Sequence, residues 1–249
     1  METLGYIRKA QLEALRRQIA KATDFRARSE EVVACGIGKV DAALHGGLAR
    51  GALHEITAAD HRSIPAALGF LLALTAIIKQ ARGALLWPTA KQTNIFGLPY
   101  APGLKFFGLE SARLVFVRCA NSRDRLWAME EGLRLGGVAA VLGARAKTMD
   151  LTASRRLQLA AEQANTPVFL LRNHNDNTPS AAVTRWRVCP APSARDTFGF
   201  YKHARFRVAL DYARGGKTGE WAMEWDHDAL SLRLSSALDD RTAGEDRAA

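Results

Sequence analysis

Residues 46–57 read GGLARGALHEIT, and this stretch decides the fold class. The two glycines end a short helical turn at 39–44, and residues 53–57 form a predicted strand. A long apolar helix is predicted from Ser63, its N-cap, to about residue 82, and Gly83 ends it. In nucleotide-binding α/β proteins, a turn between a strand and a helix is where the phosphate-binding P-loop lies.

The turn lacks the residues of a working P-loop, which follows the pattern GxxxxGK[ST]. In that pattern, amides cradle phosphate, the lysine binds the β- and γ-phosphates, and the hydroxyl binds Mg²⁺. The corresponding residues 58–65 read AADHRSIP. The replacements are Ala58 and Ser63 for the glycines, Ile64 for the lysine and Pro65 for the hydroxyl residue. Asp60 adds negative charge where phosphate would bind, and Arg62 is a weak candidate substitute for the lysine.

Two further acids that a recombinase-type ATPase needs are absent from their expected places. One activates water after the third strand of the core, and the other binds Mg²⁺ at the end of a later strand. The predicted strand at 84–87 is followed by PTAK, and the predicted strand at 138–142 is followed by GAR. We therefore expect a protein that is not an enzyme and binds no nucleotide cofactor.

Alternating strands and helices dominate the chain up to about residue 172. Strands are predicted at 114–119, 138–142 and 168–171, and helices at 125–135 and 154–165. This alternation predicts a parallel sheet with crossover helices. Beyond it, antiparallel strands are predicted at 184–188, 205–212, 221–225 and 231–234. The predicted fold is α/β, with a mostly parallel twisted sheet flanked by helices and antiparallel strands at the C-terminal end.

Three motifs resemble a known family. They are GGLARGALHEI at 46–56, LWAMEEGLR at 126–134 and RGGKTGEWAMEWD at 214–226. In this order they resemble the inducible-mutagenesis family ImuA, which is related to the recombinase RecA and more loosely to the division inhibitor SulA. The resemblance implies a RecA-like domain with a degenerate P-loop over residues 30–236, preceded by a helix and linker at 1–29 and followed by a polar tail at 237–249.

The resemblance also implies a function. ImuA proteins act in the SOS response, in mutagenic translesion synthesis, with the Y-family-like adaptor ImuB and an error-prone C-family polymerase. It implies a non-catalytic accessory protein that contacts the adaptor, the polymerase, RecA or several of these. Two alternatives remain open: a SulA-like inhibitor of cell division, and a RecA-like protein with residual ATP-dependent DNA binding.

Two surfaces are candidates for partner contact. Ile7, Leu15 and Ile19 form a narrow apolar stripe on a predicted N-terminal helix, and RecA has a comparable helix that packs on the neighbouring protomer. The chain has a net charge of +10, and residues 172–217 hold nine Lys and Arg against three Asp. This excess is typical of contact with single-stranded DNA or an acidic partner. The candidate residues are Arg172, Arg185, Arg187, Arg205, Arg207, Arg214 and Lys217.

Other chemistry finds little support in the sequence. Three widely spaced cysteines argue against disulfides and favour a reducing cytoplasm, with Cys119 in the core. The six histidines show no metal-binding spacing, and no apolar run is long enough for a membrane span. His54 and Glu55 are interpreted as structural, and the tryptophans at 127, 186, 221 and 225 as mostly core residues.

Overall fold

The computed structural model describes residues 31–78, 83–90, 100–144, 149–174, 176–195 and 197–235. Within these ranges, nine strands form the main sheet and two short strands form a second sheet. The short strands are β1 (Val32–Val33) and β2 (Leu48–Ala49). The main strands are β3 (Leu53–Ala58), β4 (Ala84–Ala90), β5 (Leu114–Cys119), β6 (Val138–Ala144), β7 (Val168–Arg172), β8 (Thr184–Ala191), β9 (Ala204–Ala213), β10 (Gly219–Asp226) and β11 (Ser231–Leu234).

The sheet has a parallel half and an antiparallel half. Its order is β11-β10-β9-β8-β3-β7-β6-β4-β5, and every pairing from β8 to β5 is parallel. The strands from β8 to β11 pair antiparallel with their neighbours in sequence. The helices are α1 (Gly38–Ala43), α2 (Ile64–Ile77), α3 (Ala101–Lys105), α4 (Ser122–Leu135) and α5 (Leu151–Ala164). This arrangement confirms the predicted α/β class with antiparallel strands at the C-terminal end.

One face of the sheet is covered by α2. The ring of Phe70 on this helix lies 5.6 Å from the ring of Trp186 and 6.0 Å from that of Phe206, centroid to centroid. All three side chains are buried. Burying such a side chain contributes roughly 1.5–3 kcal/mol, so α2 fixes the parallel and antiparallel halves to one another.

The opposite face is covered over the parallel half by α4 and α5. Met129 and Leu133 from α4 and Leu157 from α5 form a second buried cluster with strand residues such as Val141 and Leu170. On β8 and β9 the same face presents arginines instead of apolar residues, because Trp186 and Phe206 point to the α2 side and strand residues alternate.

The two glycines of the opening motif are required by the backbone. Gly46 and Gly47 have φ values of +120° and +142°, which side chains rarely adopt. A Cβ on Gly47 would overlap the backbone carbonyl of Val33. Gly47 therefore allows β1 and β2 to pair closely, just before the chain enters β3.

Several predicted boundaries are wrong for identifiable reasons. Helices α4 and α5 each begin three residues earlier than predicted, because the side chains of Asn121 and Asp150 cap them by accepting bonds from the amides of Asp124 and Ala153. Strand β4 continues through Pro88, which the sequence placed at its end. The ladder between β4 and β6 ends at Leu86, so Pro88 pairs only along β5.

Burial confirms most of the side chains that were predicted to lie in the core, with one exception. Trp127 is 61% exposed on α4, whereas Trp186 and Trp225 are buried as predicted. Cys119 is also buried, as predicted. The stretch between β4 and β5 contains α3, and residues 91–99 within it lie outside the described residues. None of the helices in the described ranges is long and apolar enough to cross a membrane.

Candidate functional site

The turn after β3 is closed by one side chain, Asp60. Its carboxylate accepts bonds from the amide of Ser63 at 2.8 Å and from the hydroxyl of Ser63 at 2.7 Å. These two bonds, the hydroxyl first, hold the pKa of the Asp60 carboxyl below its ordinary value. Ser63 was predicted to be the N-cap of α2; it does precede the helix, but its hydroxyl donates to Asp60 and caps no amide of α2.

Other backbone amides of the turn donate within the protein. The amide of Ala59 donates to the carbonyl of Val188 on β8 at 2.8 Å, and that of Ile64 to the carbonyl of His61 at 3.4 Å. A phosphate cradle needs such amides to point at the ligand. The N-terminus of α2 therefore has the Asp60 carboxylate as its anion. Several amides that would bind an external anion already donate to groups within the protein.

The side chains at the degenerate P-loop positions have little capacity to hold phosphate. Ala58 is buried, Ile64 is half-buried and apolar, and Pro65 is exposed. Arg62 is exposed, and the exposed His61 has its ring 5.9 Å from the ring of His174, which follows β7. Strands β4 and β6 end at Ala90 and Ala144, and the sequence contains no acid between residue 91 and Glu110 or between residue 145 and Asp150.

Arg172, a candidate DNA contact in the sequence, is buried in the structure and does not lie on the surface. Its guanidinium, 2% exposed, bonds the fully buried carboxylate of Glu55 at 2.6 Å and lies 2.7 Å from Asp176. It also donates to Thr178 at 2.9 Å. Burying a cation is favourable only with such partners, so Arg172 serves to attach the loop after β7 to the sheet.

His54 and Glu55 have structural roles, as predicted. The His54 ring accepts from the hydroxyl of Thr184 at 2.8 Å, which in turn accepts from the indole of Trp186 at 2.8 Å. The other ring nitrogen donates to the carbonyl of Ala49 at 2.9 Å. Burial lowers the pKa of His54 to about 4, so the ring is neutral at physiological pH.

The four strand arginines share one face of the sheet, but they do not form a compact positive patch. Arg187 makes two bonds of 2.9 Å with Asp211, and Arg205 bonds Glu224 at 2.9 Å across β9 and β10. Arg185 lies 3.4 Å from Glu55. These acids come from other strands and neutralise most of the charge.

Arg207 differs from its three neighbours. It is exposed, and no ion pair is found for it in the described ranges. Of the other predicted contacts, Arg214 donates to the carbonyl of Ala181 at 2.7 Å, and Lys217 is exposed in the turn before β10. Whether any of them binds DNA stays a prediction. Ile7, Leu15 and Ile19 lie outside the described residues.

Two exposed apolar features escaped the sequence analysis. The first is the edge strand β5, where Val115 is 45% and Phe116 is 39% exposed, together with Trp127 on α4. The second is the connection from β8 to β9, where Phe198, Phe200 and Tyr201 are 67–83% exposed. Its sequence, TFGFYK at 197–202, offered a signal: aromatic residues around a glycine between two strands.

No group of three possible metal-binding side chains occurs among the described residues.

Comparison with known proteins identifies the family. No family model matches the sequence. The chain is 36% identical over 214 residues to Protein ImuA of Caulobacter vibrioides strain NA1000 / CB15N, and equally to Protein ImuA of strain ATCC 19089 / CIP 103742 / CB 15. Each match covers 78% of this chain and 84% of the relative. At this identity and coverage, the chain belongs to the ImuA family.

Proposed function

We propose that this protein is a non-catalytic accessory protein of SOS-induced mutagenic translesion synthesis. Membership of the ImuA family supports involvement in inducible mutagenesis. In this proposal the protein works in the cytoplasm through contacts with an ImuB-like adaptor, the error-prone polymerase, RecA or several of these. It does so without hydrolysing ATP.

The occupied turn after β3 is the observation that supports the non-catalytic part of the proposal. Asp60 places a negative charge at the N-terminus of α2, where a nucleotide would place its phosphates. Two like charges in one site repel, and Ile64 supplies no compensating cation. We therefore expect nucleotide binding no tighter than roughly millimolar, the range of about −4 kcal/mol.

The open edge of the sheet supports the partner-binding part. Strand β5 pairs only with β4 in the described residues, so among these residues the backbone groups on its other side have no strand partner. Val115 and Phe116 add exposed apolar surface, and Trp127 on the neighbouring helix is a residue type enriched at binding hot spots. We assign this edge to an extended segment of a partner protein, which would add a strand to the sheet.

Two separate titrations test the non-catalytic part and the partner-binding part of the proposal. Calorimetric titration of the purified protein with ATP and Mg²⁺ tests whether the turn after β3 binds nucleotide. Measurable ATP turnover that disappears in an Arg62→Ala variant contradicts the non-catalytic role. Purified ImuB-like adaptor and RecA are then titrated against the wild type and against Val115→Lys. A lysine blocks strand addition.

The chain offers a matched control for the edge variant. Leu234 lies on β11, the opposite edge strand, and is 38% exposed compared with 45% for Val115. We expect Val115→Lys to weaken partner binding at least tenfold and Leu234→Lys to leave it unchanged. Equal losses in both variants, or none in either, contradict the assignment of the β5 edge.

A further inference from the structure

The connection between β8 and β9 forms a hairpin tip, defined here by the described residues 192–195 and 197–203. The backbone amide of Lys202 donates to the carbonyl of Ala194 at 3.0 Å, and Arg195 forms an isolated bridge with Tyr201. Gly199 has a φ of +85°, which permits the reversal of the chain. These backbone contacts continue the hairpin beyond the ends of the two strands.

Arg195 holds the tip together through its side chain. Its guanidinium donates to the carbonyl of Gly199 at 2.7 Å and to the hydroxyl of Tyr201 at 2.9 Å. It also stacks 4.4 Å from the centre of the Tyr201 ring. A guanidinium fixed in this way remains charged beside the aromatic rings.

Three aromatic side chains within four residues are exposed at this tip. Phe198 is 83%, Phe200 72% and Tyr201 67% exposed. Large apolar side chains are scattered singly on most protein surfaces, whereas a cluster at one projecting point marks an interaction site.

Charge around the tip favours a polyanionic ligand. Residues 192–207 contain Arg195, Lys202, Arg205 and Arg207 against the single acid Asp196. Lys202 and Arg207 are exposed, while Arg205 is paired with Glu224. Lysine is depleted in the centres of protein–protein interfaces, and aromatic rings interleaved with cations are typical of single-strand binding.

We propose that the hairpin tip binds single-stranded nucleic acid. Phe198 and Phe200 stack on unpaired bases, and Lys202 and Arg207 contact the phosphate backbone. The binding is independent of base sequence, because every base offers a face for stacking. This site goes beyond the proposed function, which rests on protein contacts at the β5 edge, and either can fail without the other.

The test is fluorescence anisotropy with a labelled oligothymidylate of about 20 nucleotides at low salt. Stacking contributes enough per base that Phe198→Ala/Phe200→Ala should weaken binding tenfold or more. Lys202→Ala/Arg207→Ala should weaken it too and should reduce the slope of affinity against salt by about 1.4 in logarithmic units, the value for two lost contacts to a single strand. Double-stranded DNA should bind more weakly, because its bases are already stacked.

The matched control is Tyr212→Ala. Tyr212 lies on β9 at the end opposite the hairpin tip and is 44% exposed. We expect it to bind the oligonucleotide as the wild type does, and all variants to melt at the wild-type temperature. Ultraviolet cross-linking of wild-type protein to a bromodeoxyuridine oligonucleotide gives a test without any variant, and the cross-link should map to residues 192–203.

Three results overturn the proposal. They are the absence of oligonucleotide binding by the wild type at low salt, wild-type affinity in the double phenylalanine variant, and a cross-link that maps elsewhere. If the phenylalanine variant keeps its DNA affinity but loses the adaptor or RecA, the tip is a protein-binding site and the proposal is wrong. If only the Val115→Lys variant loses adaptor binding, that result concerns the β5 edge and does not affect the conclusion about DNA binding at the hairpin tip.

Discussion

Asp60 and Ser63 form a closed turn at the N-terminus of α2, with the carboxylate accepting bonds from both the amide and the hydroxyl of the serine. An aspartate in this position favours the helix in two ways: it satisfies an amide that α2 leaves open, and its charge complements the helix dipole. These contacts thus stabilise the fold at the turn where the sequence predicts a degenerate P-loop.

We expect Asp60→Ala to lower the melting temperature at neutral pH. The lowered pKa of Asp60 makes its contribution depend on pH: it is present above the ordinary pKa and is lost as the pH falls through the lowered folded value. The difference in melting temperature between wild type and variant should therefore shrink in acid. A difference that stays constant with pH would show that the charge has no part in it.

The pair Glu55 and Arg172 should show strong coupling in urea unfolding. Arg172→Ala removes the nearer of the two cations beside the fully buried carboxylate of Glu55 and leaves Arg185 at 3.4 Å; breaking a buried pair typically costs about 3–5 kcal/mol. The double variant Glu55→Leu/Arg172→Met removes both charges and should recover part of that loss, because Asp176 still loses the cation of Arg172. If the double variant is as unstable as the sum of the single variants, the pair is not coupled.

His54 predicts a second contribution from protonation, with the same sign as that of Asp60. Its pKa is lowered from 6.5 to about 4, so the unfolded chain binds a proton more readily between these values. Stability should fall by about 3 kcal/mol as the pH drops from about 6.5 to about 4, and then change no further from this cause. Urea unfolding of wild type and His54→Gln across this pH range isolates the effect, because the two proteins differ only in having a titrating group at position 54. Parallel curves would contradict it.

Gly47→Ala should destabilise the protein by several kcal/mol. The substitution is strained by the positive φ and places a Cβ against the carbonyl of Val33. Gly136 has a φ of +73° but open space around its Cβ position, so Gly136→Ala is the matched control for strain without overlap. Thermal melting should show a clearly larger loss for Gly47→Ala.

The sequence predicts elements well where their signals are local. Strand β5 has its predicted bounds, because its apolar residues begin directly after Arg113 and end shortly before Asn121. The starts of α4 and α5 were missed by three residues because Asn121 and Asp150 lie beyond the apolar periodicity that was used to place the helices. The two-residue strands are too short for any periodicity to appear.

The candidate site was harder to predict, because charge pairing depends on distant residues. Arg172 is buried through Glu55, which is 117 positions away, and Arg187 is paired with an acid on another strand. The alternation of side chains along β8 and β9 explains why the arginines share one face, but the sequence alone could not identify the acids that lie beside them. The exposure of Trp127 and Phe198 likewise depends on which surfaces the rest of the chain leaves open.

The open edge at β5 also has a practical consequence for handling the purified protein. An apolar edge strand can pair with the same strand of a second molecule and so begin aggregation. We expect the isolated protein to lose soluble yield on concentration and during storage. Co-production with the partner that covers Val115 and Phe116 should restore the yield, and Val115→Lys should improve it even without a partner.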